Sequence, residues 1–150
     1  MDFELNEEQR AIQDVFARFC DEKIMPQAAK IDESHAFPHE LFKALAGLGA
    51  FGMRYPEEDG GSGMSLSDFC LALTEVARGS MSLAGAMAMQ SLMGTKFLHL
   101  LGNEDIKTRL FRPALLGEKI GAICMTEPNA GSDLRSISTT AKPGEGGYVL

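Results

Sequence analysis

The chain has 150 residues, 45% hydrophobic and 23% charged, with a net charge of −7. This is the balance of a soluble globular protein of one domain or a little more. The acidic surplus repels phosphate backbones, so no nucleic-acid partner is expected. Cys20, Cys70 and Cys124 are odd in number and far apart, with no CxxC or zinc spacing, so reduced thiols are expected. The opening MDFELNEEQR is acidic and lacks a long apolar run. An ordinary secretory leader or Arg-rich transit peptide is therefore not expected, and a cytoplasmic location is.

Asn6, with Gln9 three residues on, reads as a capping box. Ile12, Val15, Phe16, Phe19 and Cys20 follow at helical spacing. Pro26 interrupts, and a shorter helical piece runs to about Ser34. Pro38 suits the first turn of a helix carrying Leu41, Phe42 and Leu45, which Gly47 and Gly49 end. YPEEDGGSG, residues 55–63, has turn chemistry throughout. After Ser65, Leu66, Phe69, Leu73 and Val76 share one face, and Arg78-Gly79-Ser80 breaks that helix. Residues 81–101 form the longest apolar stretch, but Gln90, Lys96 and His99 make it too polar for a membrane span. It reads as a buried central helix stopping at Gly102. Asn103 caps a further helix with Ile106 and Leu110 inward, Pro113 tightens its end, and Gly117 closes it.

The period then changes. Residues 119–125 read as a strand, 136–141 could be a second, and PGEGG (143–147) is a hairpin-type turn. Tyr148, Val149 and Leu150 begin a third strand. A lone edge of this kind is unfavourable, so more of a β domain is expected beyond the given sequence.

Chemistry concentrates in CMTEPNAGSDLRS, residues 124–136. A strand edge alternates N–H and C=O groups, which a flat heterocycle can match. Thr126 adds a hydroxyl. Gly131 lets backbone approach a ligand closely, and Ser132 supplies a hydroxyl and an N–H where successive N–H groups can form an anion nest. The residues alone leave a second reading open, in which Pro128, Asn129, Gly131 and Asp133 merely build turns. Glu127 is either a general base or, more simply, a hydrogen-bonding anchor. His35 and His39 are four apart, but Phe37-Pro38 disrupts the helix that would align them on a metal. His99 reads as a packing residue. DGGSG lacks the Lys and preceding strand of a phosphate loop.

ICMTEPNAGSD resembles the signature of the acyl-CoA dehydrogenase family, flavoenzymes that desaturate acyl thioesters between Cα and Cβ. YPEEDGGSGMSLSDF is similar to that family's Gly-Gly loop before a helix. LLGNEDIKTRLFRPALLGEKIGAICMTEP is similar to its helix-to-strand passage. The resemblance runs from residue 3 to residue 150. It implies a mainly α fold: an N-terminal orthogonal helical bundle (1–118) followed by the first strands of a β-barrel domain (119–150), truncated.

The resemblance further implies FAD as cofactor. Ile123, Met125 and Thr126 would face the flavin ring, Gly131 and Ser132 its diphosphate, and Ser132 also the substrate's pantetheine arm. Many relatives carry an aromatic residue where this chain has Ile123, so backbone contacts without ring stacking are implied there. Met87, Met89, Leu92 and Met93 form an apolar group on the central helix. It reads as core packing or, by the resemblance, as acyl-pocket wall, with Met89 near the floor and Met93 beside it. A bulky Met89 shortens such a pocket and points to a short or branched acyl group. The family's catalytic base matches no residue of 1–150, so no catalytic residue is assigned and the 150 residues alone are expected to be inactive. An acyl-CoA substrate, electron-transfer flavoprotein or another electron acceptor, and homo-oligomerisation are implied; no membrane partner is. An acyl-CoA oxidase or flavin monooxygenase on the same scaffold, or a non-catalytic helical module, are the alternatives.

Overall fold

The capping box read at Asn6 forms in the computed structural model, which describes residues 4–150. Met1, Asp2 and Phe3, the start of the acidic opening, lie outside the described residues. Asn6 Oδ1 accepts from the Gln9 N–H at 2.8 Å, and the Gln9 side chain accepts from the Asn6 N–H at 3.3 Å. Helix α1 (Glu7–Phe19) follows and ends before Pro26, and the shorter helical piece beyond the proline runs to Ser34 as expected. The chain passes through a π-helical turn (Cys20–Ile24) and a 3-10 turn (Met25–Gln27) into α2 (Ala28–Ser34). The proline sits where the winding changes, so its missing N–H falls at a point already outside the regular α ladder.

Helix α3 (His39–Gly47) starts after Pro38, and Gly49 turns the chain at φ +75°. Helix α4 (Leu66–Gly79) begins with a second capping box. Ser65 Oγ accepts from the Asp68 N–H at 3.2 Å, and Asp68 Oδ2 accepts from the Ser65 N–H at 2.9 Å. The apolar stretch expected as one helix is three pieces: α5 (Met81–Met89), a π turn (Gln90–Gly94) and α6 (Lys96–Leu101). Asn103 Oδ1 caps α7 (Glu104–Ile106) by accepting from the Ile106 N–H at 2.9 Å. A third π turn (Lys107–Phe111) leads into α8 (Arg112–Leu115), which Gly117 closes at φ +70°. Among the described residues, no helix is long and apolar enough to cross a membrane.

The main core gathers Phe16, Cys20 and Ile24 with Leu41, Phe42 and Leu45 of α3, Phe69, Ala72 and Val76 of α4, and Leu83, Ala84 and Met87 of α5. Each Val, Leu, Ile, Phe or Met side chain among them contributes roughly 1.5–3 kcal/mol by leaving water. Gly79 allows the end of α4 to meet the first π turn, since a Cβ there would lie 2.7 Å from Cys20 Sγ. Val15 and Leu66 fit the helical period but lie at the core's edge, 37% and 54% exposed. A smaller cluster joins Tyr55, Phe111 and Leu115, with Leu98 against it.

The β expectations are met in part. Residues 121–127 alternate between half-buried and exposed, the period of a strand, but 119–125 joins no ladder among the described residues. Residues 136–141 are likewise unpaired, because a strand is completed only by a neighbour. Pairing begins one residue later, where β1 (Lys142–Gly144) runs antiparallel to β2 (Gly147–Val149), with Lys142 opposite Val149. Gly146, at φ +77°, makes the hairpin turn. Every residue from 131 to 150 is exposed.

Candidate functional site

Helix α5 is apolar on all sides, so its sequence cannot say which side chains point inward. Packing divides the group read there. Met87 is fully buried in the core, and Leu92 is half-buried against it. Met89 is 41% exposed and Met93 half-buried, so these two are the members left available to a ligand.

The π turn that follows carries one extra residue, and the displaced carbonyls need other donors. The Thr95 hydroxyl donates to the Gln90 carbonyl at 2.6 Å. The Tyr55 hydroxyl donates to the Ser91 carbonyl at 2.9 Å and lies 2.8 Å from Thr95 Oγ1. Burial pushes the Tyr55 phenol above its ordinary pKa, so it remains a protonated donor.

Gln90, only 1% exposed, turns its amide away from its own helix. Its Nε2 donates to the Ala114 carbonyl at 2.8 Å and the Lys119 carbonyl at 2.9 Å, and its Oε1 accepts from the Gly121 N–H at 2.8 Å. Beside it the backbones of Gly94 and Gly121 meet, since a Cβ on either would fall 2.7 Å from the other. The extended segment is thus pinned at 119–121 and then released. Among the described residues, the backbone groups of 122–126 have no hydrogen-bond partner. Ile123 and Met125 are half-buried there, and Thr126 is exposed.

The corner that follows is held together locally. Glu127 and Ala130 exchange backbone hydrogen bonds at 2.9 and 3.2 Å, with Ala130 buried. The Glu127 carboxylate accepts from the Thr139 N–H at 3.0 Å, the Ser138 N–H at 2.9 Å and the Ser138 hydroxyl at 3.0 Å. These donors, Thr139 foremost, hold its carboxyl at about 2. A carboxylate that weakly basic is a poor proton acceptor near neutrality, and the anchoring role is the one its contacts define. Asp133 accepts from the Arg135 N–H at 3.1 Å and the Ser136 hydroxyl at 2.8 Å, fixing a 3-10 turn (Leu134–Ser136). Between these anchors, Gly131 has open space where a Cβ would stand, and Ser132 is exposed and has no partner among the described residues.

Unspent donors and acceptors along 122–126, then an open glycine and a free hydroxyl, form a donor set that fits a flat heterocycle followed by a diphosphate. The other candidates resolve differently. His35 ends α2 in the left-handed region at φ 51° while His39 begins α3, and no cluster able to hold a metal occurs among the described residues. His99 packs beside Tyr55 and Phe111, with ring centroids 5.0 and 5.3 Å away, and its Nε2 bonds Asp59 at 2.7 Å. The Gly-Gly loop is a packed turn, since a Cβ on Gly61 would overlap the Tyr55 carbonyl. Sequence reasoning missed Tyr55, Gly94, Thr95, Gly121 and the anchoring role of Gln90. A run of Gln, Ser, Gly and Thr inside an apolar stretch was the available signal.

The molecule is a helical scaffold with an open backbone edge and a small polar corner at its end. Residues 6–118 match the family described as "Acyl-CoA dehydrogenase, N-terminal domain". The chain belongs to the acyl-CoA dehydrogenase family. It is 74% identical over 150 residues to benzylmalonyl-CoA dehydrogenase of Aromatoleum aromaticum, covering all of this chain and 40% of that protein. Among solved structures it is similar to glutaryl-CoA dehydrogenase in complex with glutaryl-CoA (34% identity, TM-score 0.86, 94% of this chain and 36% of that one). It is also similar to PigA with FAD and proline (28% identity, TM-score 0.89, 100% of this chain and 40% of that one). The chain spans 35% to 40% of the length of the curated relatives it matches.

Proposed function

We propose that the chain supplies the amino-terminal helical domain (1–118) and the opening of the middle β domain (119–150) of an FAD-dependent acyl-CoA dehydrogenase. FAD held there would supply the hydride acceptor for desaturation between Cα and Cβ of an acyl thioester. This chain's part is to bind and orient. The backbone of Ile123, Met125 and Thr126 offers donors and acceptors along the ring edge, with the Thr126 hydroxyl beside them. Gly131 and Ser132 receive the diphosphate, and Ser132 also meets the pantetheine arm. N–H donors along a ring edge favour negative charge arriving there, and more so once water is excluded. The proton-abstracting base is assigned to no residue of 1–150, and the 150 residues alone are expected to be inactive. Electron-transfer flavoprotein or a similar acceptor, homo-oligomerisation and a cytoplasmic location belong to the same reading.

The observation that carries it is the unpartnered backbone edge at 122–126 leading into open Gly131 and Ser132. The relative at 74% identity is named for benzylmalonyl-CoA, a thioester with a benzyl group. Met89 and Met93, flexible and polarizable, suit an aromatic ring. An aryl-substituted acyl group is therefore favoured over the short or branched one read from Met89 alone. The test is purification of the full-length protein with FAD, followed by anaerobic addition of benzylmalonyl-CoA or butyryl-CoA. Bleaching of the flavin band by the aromatic thioester, and a gain in activity on longer chains for Met89→Ala, are the expected results. A colourless protein that gains no visible absorbance with FAD refutes the reading, and peroxide formed in air reassigns it to an oxidase.

A further inference from the structure

We infer that Gln90 is a positioning residue that sets the spacing between the acyl-facing methionines and the ring-facing segment. The inference rests on the proposed flavin site. Three observations meet here. Gln90 directly follows Met89 and opens the π turn that also carries Met93. Its buried amide spends both its donor and its acceptor capacity on another part of the chain, reaching carbonyls of Ala114 and Lys119 and the N–H of Gly121. Gly94 and Gly121 remove the side chains that would otherwise hold the two backbones apart. Beyond that pin, the free edge of 122–126 has no ladder of its own to fix its position. One side chain therefore decides how far the extended segment stands from the helix.

A buried amide satisfied on both ends could serve packing alone, so the test must separate position from stability. In the full-length protein, Gln90→Leu removes all three bonds at similar volume. Gly94→Ala keeps the Gln90 side chain and instead drives a methyl into the Gly121 backbone. Ser65→Ala weakens the N-terminus of α4, away from the site, and serves as the stability-matched control. Three readouts are taken: FAD affinity, the visible spectrum of the bound flavin, and amide exchange over 119–126 in FAD-free protein. Gln90→Leu and Gly94→Ala are each expected to weaken FAD binding at least about tenfold, which is about 1.4 kcal/mol. Both are expected to shift the flavin bands and speed exchange over 119–126, whereas Ser65→Ala changes none of the three. Should Gln90→Leu fail to fold, Gly94→Ala decides. Variants that melt earlier but bind FAD with unchanged affinity and spectrum overturn the inference and leave the proposed function standing. A wild-type protein that takes up no FAD overturns both.

Discussion

Tyr55→Phe isolates one proton in the interior. The Thr95 hydroxyl is committed to the Gln90 carbonyl at 2.6 Å, so the Tyr55 hydroxyl is what serves the Ser91 carbonyl at 2.9 Å. Without it, that carbonyl, on a residue only 3% exposed, has Thr95 Oγ1 at 3.5 Å as its remaining side-chain donor. The ring itself stays packed, with Phe111 5.0 Å away. Stranding a buried acceptor costs about 1–3 kcal/mol, and the phenylalanine recovers part of this by having no hydroxyl to desolvate. A net loss of about 1.5 kcal/mol is expected, or about 3–6 °C in Tm for a chain of this size. Urea and thermal unfolding followed by far-UV circular dichroism measure it. Thr95→Val should cost a similar amount, and the double variant less than the sum, because both act on one network. A loss under about 0.5 kcal/mol, the range of an ordinary surface change, would refute the claim that these hydroxyls brace the π turn.

The Glu127 clasp is set by acid. Its folded pKa of about 2 lies below the ordinary 4.5, so its stabilisation is complete above pH 4.5 and disappears as pH falls toward 2. Ser138 and Thr139 amide resonances should therefore move with a midpoint near 2, and Glu127→Gln should speed proteolysis between 127 and 139; a midpoint at 4.5 would show the clasp absent. Gly79→Ala sets two effects against each other. Helix propensity offers up to about 1 kcal/mol, while overpacking of this kind costs about 1–3 kcal/mol. The methyl would sit 2.7 Å from Cys20 Sγ and 2.8 Å from Ile24 Cγ2, so denaturation should show a net loss, and a stabilised variant would contradict the tight contact.

Local chemistry was legible and distant partnership was not. Asn6 with Gln9, Asn103 and Gly117 mark helix ends through groups within a few residues of one another, and each forms as read, while the helix read after Ser65 begins there with a capping box to Asp68 that was not read. Thr126, Gly131 and Ser132 stood out because their residue types already limit what the backbone there can do. The π turn at 90–94 did not, because its braces come from Tyr55 and its purpose from Gly121, 36 and 31 residues away. Residues 119–125 show the alternation of a strand, but alternation cannot supply a neighbour. In α5, an apolar surface on every side concealed that Met87 and Met89 face opposite ways.

The π turns also make this domain sensitive to chain length. Each residue advances a helix by about 100°, so the extra one in 90–94 is a built-in phase offset between α5 and α6. Deleting a single residue there would yield a smoother, uninterrupted coil with better hydrogen bonds along its axis. It would also swing everything downstream by that angle, carrying His99 off Asp59 and Lys96 off the Tyr55 ring. Loss of one codon in this stretch would thus be felt as a rotation error, and a compensating insertion within the same turn should restore the fold where one in a loop would not.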